Sequence, residues 1–180
     1  KNTLLTYSMH FTDLKAYYKL IKVFKRIILL DTNYHLTIAA QEPITKEHKQ
    51  YYNKCCSLIK QLEIDNYVTI KTIKPDKSSY DKINYLLEVH NAIISFSDIE
   101  SFHYSFAEGL LSGLHGFCRG WRYPDPKEFW NKWCYTDEPN FIKGIIEWGC
   151  CHIQNRNETA KENRRYIINN FSKEIIGEKY

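Results

Sequence analysis

Two carboxylates eight residues apart, Glu100 and Glu108, fall within the stretch 91–113, NAIISFSDIESFHYSFAEGLLSG. Ala92, Ile93 and Ile94 form a short apolar run that predicts a fully buried strand. Polar Ser95, Ser97 and Asp98 follow, where the chain must leave a sheet. From Phe102 onward the spacing turns helical, with Phe106, Leu110 and Leu111 on one face and Gly113 as the stop. Strand, short loop and helix together set backbone N–H groups and a positive dipole end at the carboxyl edge of a parallel sheet, where anions collect. Two helical turns span about seven residues, so the glutamates fall on one side, Glu100 at the mouth of such a site and Glu108 deeper. The spacing alone carries little, since thirteen glutamates scattered over 180 residues give about one such pair by chance.

The elements that must position these side chains alternate regularly. Residues 3–7 predict a strand that starts almost at the first residue, which suggests a sequence cut from a longer protein. A polar loop follows, with Thr12 or Asp13 as a helix cap. Tyr17, Leu20, Ile21, Phe24, Ile27 and Ile28 then make a one-sided helical stripe. Residues 35–40 predict a second strand. Thr45 starts a helix with Tyr51, Tyr52, Cys55, Leu58, Ile59 and Leu62 inward, which makes Cys55 a small buried hydrophobe. Residues 68–70 form a third strand, and Ser78 or Ser79 caps a helix carrying Ile83, Leu86 and Leu87. Residues 114–118 offer a further strand. Alternation of this kind is the signature of a parallel sheet covered on both faces. The prediction is one α/β, Rossmann-like domain over residues 1–180.

The last third is less regular. Residues 119–140 hold Trp121, Trp130 and Trp133 and three of the five prolines, an irregular loop pinned by aromatic packing or a ligand-facing lid. Residues 141–148 look helical, and 158–171 form a polar helix with Tyr166, Ile167 and Phe171 as its apolar side. A last short helix runs through Ile175 and Ile176.

Composition excludes several classes. A net charge of +4 suits an anionic ligand and is too weak and scattered for nucleic acid. No run approaches a membrane span and no signal peptide is visible. The six cysteines include two adjacent pairs and no C-x2-C spacing, which argues against zinc and against a disulfide framework. Cys150, Cys151 and His152 are too closely spaced for tetrahedral ligation, and a reducing cytosol is the simplest compartment. No G-x-G-x-x-G, Walker loop or G-x-S-x-G elbow occurs.

Glu100-Ser101-Phe102 followed by Ala107-Glu108-Gly109-Leu110-Leu111-Ser112-Gly113 resembles the Glu-x7-Glu segment of retaining glycosyltransferases of the GT-B fold. Residues 35–40, the segment YYNKCCSLIKQLEIDNYV at 51–68, and residues 166–176 with Phe171-Ser172 are similar to family elements in the same order, so the resemblance covers most of the chain. It implies one half of a GT-B fold, the C-terminal domain that holds a nucleotide-sugar donor of UDP or GDP type, with the N-terminal acceptor domain absent from this sequence. The implied reaction moves a hexose from a nucleoside diphosphate to an unknown acceptor, with retained configuration and no cofactor or metal.

Carried over residue by residue, the resemblance makes Glu108 the acceptor for the ribose hydroxyls, each charged hydrogen bond being worth about 1.5–3 kcal/mol. Glu100 falls near the donor sugar at the reacting face. The N–H groups of His103, Tyr104 and Ser105 match the helix start that receives the diphosphate, where the dipole adds about 0.3–1 kcal/mol. Lys15 matches the lysine that offsets charge on the departing diphosphate. Topology, rather than the resemblance, puts the backbone groups of residues 71–73, beginning at Lys71 after the third strand, near the base. The chain departs from the family in having Met9 and His10 where an arginine is expected, His103 for a glycine, and Arg119-Gly120-Trp121 for a Gly-Gly loop, with Arg119 as a substitute cation. Two other readings share the pattern: an epimerase acting on nucleotide sugars, and a degenerate module that only binds a nucleotide or a protein.

Overall fold

Leu4 and Leu5 are both fully buried although successive residues of a strand face opposite ways, so the sheet that holds them is covered on both sides. The protein is described by a computed structural model over residues 1–100, 103–120 and 132–171. Its elements are β1 (Asn2–Ser8), a 3-10 turn (Asp13–Lys15), α1 (Tyr17–Leu30), β2 (Tyr34–Gln41), α2 (Lys46–Gln61), β3 (Val68–Ile73), α3 (Ser79–Val89), β4 (Ala92–Ser95) and α4 (Tyr104–Leu111). Then come β5 (His115–Arg119), β6 (Cys134–Tyr135), α5 (Glu138–Cys150) and α6 (Ile153–Phe171). The six strands lie in the order β3-β2-β1-β4-β5-β6, and every neighbouring pair is parallel.

Helices α1, α2 and α5 pack on the face that carries Leu4, Leu36, Ile38, Ile94 and Phe117. Helices α3, α4 and α6 cover the other, with Leu5, Tyr7, Ala39 and Ile93 beneath them. This is the expected α/β, Rossmann-like arrangement, with helices on both faces. Among the described residues no helix is long and apolar enough to cross a membrane.

Several helix starts differ from expectation because the capping groups are not the ones the sequence pattern favours. Thr45 does cap α2, its hydroxyl accepting from the His48 N–H at 3.2 Å. Thr12 and Asp13 do not cap α1; that helix begins at Tyr17 after the 3-10 turn, with Ala16 in the left-handed region at φ 50°. Ser78 makes no side-chain cap either. Asp76 takes over, its carboxylate accepting from the Ser78 N–H at 2.8 Å and the Ser78 hydroxyl at 2.6 Å. Helix α6 starts at Ile153, ahead of the expected 158. Residues 101–102, 121–131 and 172–180, and with them the helix start at Phe102, Trp121, Trp130 and the last short helix, lie outside the described residues.

Helix α4 is only two turns long and lies close on β4. Its inward positions are Phe106, Ala107, Gly109 and Leu110. Leu111, expected inward, is 41 % exposed, because Leu110 already fills that place and the next residue rotates about 100° away. Gly109 permits the close approach: a Cβ there would stand 2.7 Å from Ile93 Cβ. Since Ile93 is β-branched and stiff, Gly109→Ala should cost about 1–3 kcal/mol of stability, read as a lower denaturant midpoint.

One bridge departs from the expectation that the cysteines build no disulfide framework, while four cysteines stay free. Cys118 and Cys134 form a disulfide, with Cα atoms 4.6 Å apart. Parallel pairing sets Cys118 opposite Cys134, a tertiary closeness that local cysteine spacing does not reveal. The bridge removes the ground on which a reducing compartment was expected. Thiol blocking under denaturing, non-reducing conditions should therefore label four of the six cysteines, those at 55, 56, 150 and 151, and all six after reduction. Cys55 is buried, as expected.

Candidate functional site

Strand order reverses between β1 and β4: from β1 the chain steps to β2 and β3 on one side, and β4 to β6 lie on the other. In such sheets a crevice opens at the carboxyl ends of the strands flanking the reversal. Tyr7 and Ser8 end β1 there, Ser95 ends β4, and the loop from Phe96 leads into the amino end of α4 at Tyr104. The αL residue Ala16 and the 3-10 turn bring Lys15 to the same edge.

Glu108 lies one turn into α4 and is exposed. The Tyr7 hydroxyl donates to its Oε2. Burial, then the hydrogen bond to Glu108 and its charge, push the Tyr7 hydroxyl far above the usual phenol range, while the Ser105 side chain, bonded to Tyr7, acts the other way. Tyr7 is thus a permanent donor to Glu108. The Glu108 Oε1 has no protein partner among the described residues.

Glu100 is the more enclosed carboxylate, reversing the expected order of mouth and depth. Its side chain is 11 % exposed because Lys15 and His103 close over it. The Lys15 ammonium donates to Glu100 Oε1 at 2.5 Å, and His103 Nε2 faces the same oxygen at 3.4 Å. His103 Nδ1 accepts from the Phe106 N–H at 3.2 Å, capping α4. That bond places the imidazole proton on Nε2, toward Glu100. Burial pushes His103 down to about 4, against the pull of Glu100 and with a small push from Lys15, so the ring is neutral at pH 7. A histidine replaces the expected glycine by turning inward, where it serves both the helix end and the carboxylate.

The structure does not bring Arg119 into this group as a free cation. Arg119 donates to Asp98 Oδ1, and its guanidinium stacks 5.0 Å from the Phe96 ring centroid. Lys19 donates to both Asp98 oxygens, at 2.9 and 2.7 Å. Burial raises the Asp98 carboxyl, but Lys19 and Arg119 outweigh it and hold the group below the usual range. The Asp98 N–H donates to the Leu14 carbonyl at 2.9 Å, tying the β4–α4 loop to the turn that carries Lys15. Asp98 and Tyr7 are the functional-edge residues that sequence reasoning left out. Strand alternation was the available signal for Tyr7, since it places that ring on the α4 face.

Lys71 stands apart from the glutamates but on the same face. Register pairs Tyr7 with Ala39 and Ala39 with Lys71. The Lys71 ammonium lies 6.0 Å from the Tyr85 ring centroid, over a cavity of 410 Å³ between β3 and α3 lined also by Ile73, Ser78, Asp81 and Leu86. Tyr104, at the helix start, is 72 % exposed. Trp133, at the end of the irregular stretch, is buried against Phe106 and Tyr166, with its indole N–H on Asn163 Oδ1 at 3.2 Å. Among the described residues no three His, Cys, Asp or Glu side chains gather as a metal site, and Cys150, Cys151 and His152 form none.

No protein-family model matches the chain, and no curated protein does. Solved structures match in fold. A glycosyltransferase from Rickettsia africae superposes with a TM-score of 0.77 at 16 % identity, over 99 % of this chain and 46 % of that one. TarM from S. aureus, in a structure with UDP and α-GlcNAc-glycerol, gives 0.81 at 20 % identity, over 99 % of this chain and 34 % of TarM. The C-terminal domain of the group 1 glycosyl transferase LpcC from Francisella tularensis gives 0.76 at 10 % identity, over 95 % and 87 %. The chain thus spans less than half of the first two proteins and most of an isolated C-terminal domain. At these identities the likeness establishes the fold, that of a GT-B glycosyltransferase domain.

Proposed function

We propose that this chain is the donor-binding domain of a glycosyltransferase that moves a hexose from a nucleoside diphosphate to an acceptor, with retention of configuration. One observation carries the reading. Two glutamates are each held through one oxygen by a residue of β1 or the turn after it, at the sheet's point of reversal and beside the amino end of α4. Glu108 would accept from the ribose hydroxyls, and Glu100 would stand near the sugar. Lys15, now on Glu100, would share its charge with the leaving diphosphate, helped by the N–H groups of His103, Tyr104 and Ser105 at the helix end. The cavity beside Lys71 is the natural place for the base. TarM was solved with UDP, and HepE from Anabaena with UDP and glucose, which supports a nucleotide-sugar ligand for this fold.

The acceptor would be held by another domain. Exposed Met9, Leu14, Ile44, Tyr80, Ile99 and Tyr104 all lie in the turns or helix starts at the carboxyl edge, and an apolar rim of that kind suits a covering partner surface. Calorimetric titration with UDP, GDP and ADP tests the donor reading. Saturable binding of one nucleoside diphosphate in preference to the others is expected. Failure of all three to bind would discard it in favour of a module with no nucleotide ligand, and turnover of a nucleotide sugar to its epimer without acceptor would favour an epimerase.

A further inference from the structure

The Tyr7 hydroxyl has a fixed direction. A phenol has one proton, and here it is directed at Glu108 Oε2. The ring is 7 % exposed and belongs to the same apolar cluster as Ala39, Ile73 and Ala107, so the donor cannot swing away. Glu108, by contrast, is an exposed side chain on a two-turn helix. Without a tether such a carboxylate samples several rotamers, and a ligand must select one of them.

We propose that Tyr7 is a positioning residue for nucleotide binding: by holding one oxygen of Glu108 it fixes the carboxylate in the orientation that receives the ribose hydroxyls of a nucleoside diphosphate. The inference rests on the reading of Glu108 as the ribose acceptor. Tyr7 itself touches no ligand. Its effect passes through Glu108 alone, so it must vanish when the ligand offers no hydroxyls for Glu108 to receive. A phenylalanine at position 7 keeps the ring's packing and removes only the tether.

The test is a cycle between protein and ligand. UDP and GDP, each with its 2′,3′-dideoxy counterpart, are titrated into the wild-type chain and into Tyr7→Phe, with unfolding midpoints measured alongside. In the wild type the ribonucleotide should bind more tightly than the dideoxy compound. Tyr7→Phe should weaken the ribonucleotide by about three- to tenfold, the cost of immobilising one long side chain, and leave the dideoxy compound within about twofold. Equal weakening of both ligands, or no weakening of either, overturns the proposal while leaving donor binding intact. If the wild-type chain binds none of the four, the nucleotide reading falls and this inference with it.

Discussion

Glu108→Ala is expected to weaken binding of a nucleoside diphosphate by about 10- to 150-fold, the loss of charge-assisted hydrogen bonds to hydroxyls. The alanine also strands the Tyr7 hydroxyl, which is buried and whose described acceptor is Glu108 Oε2. A buried donor left without an acceptor costs about 1–3 kcal/mol, so this variant should unfold at a lower denaturant concentration as well. Glu108→Gln separates the two effects. Its amide oxygen can still accept from Tyr7, so stability should return toward that of the wild type, while the lost charge leaves the nucleotide weakly bound. Calorimetric affinities for both variants, beside their unfolding midpoints, check the pair of effects. A Glu108→Ala affinity within twofold of the wild type would remove Glu108 from the binding site.

The alternation of strands and helices was legible because each element carries its own pattern. The stripe from Tyr17 to Ile28 and the run Ala92-Ile93-Ile94 are local signals, and both are buried as the pattern requires. The position of the two glutamates beside a helix start was legible for the same reason. Their partners were not. Tyr7 and Glu108 are 101 residues apart, and Lys15 and Glu100 are 85 apart. Those meetings exist because β1 and β4 are neighbours in the sheet, a consequence of strand order that periodicity does not encode. The Cys118–Cys134 bridge depends likewise on β5 pairing with β6.

Residue type misled in other places. His103 was read as a backbone N–H at the helix start and, in its side chain, as the loss of a glycine beside the phosphates, yet its ring turns inward and supplies the cap for the Phe106 N–H. Arg119 was read as a spare cation, yet Asp98 lies within reach and neutralises it. A cation at a strand end counts toward anion binding only after nearby carboxylates have been accounted for, and Asp98 already holds both Arg119 and Lys19. Lys15 differs in kind. Its partner Glu100 is itself a predicted site residue, so under the donor-binding proposal ligand entry would exchange one anionic partner for another.

Acid should destabilise the fold well before its carboxylates titrate, with buried His103 as one main source. Its folded-state pKa is pushed down to about 4 by burial, whereas an unfolded histidine titrates near 6.5. Between those values the unfolded chain binds more protons than the folded one, so stability falls as pH falls. The contribution is fully present above about pH 6.5 and lost as pH drops through about 4, and a shift of this size corresponds to about 3 kcal/mol. Protonation has a specific structural consequence. A proton on Nδ1 would face the Phe106 N–H, donor against donor, and release the α4 cap. Glu100 favours the charged ring and Lys15 opposes it, but neither overcomes burial. His115, partly buried beneath Trp148, is also pushed down to about 4 by burial with help from Arg156 and Lys132, and adds a second loss in the same window. His35 and His90 shift the same way. His103→Asn keeps a side-chain acceptor for the helix end but cannot titrate, so its denaturant midpoint should fall less between pH 7 and pH 4.5 than that of the wild type. Equal slopes in the two proteins would mean that His103 is not the buried neutral group at the head of α4.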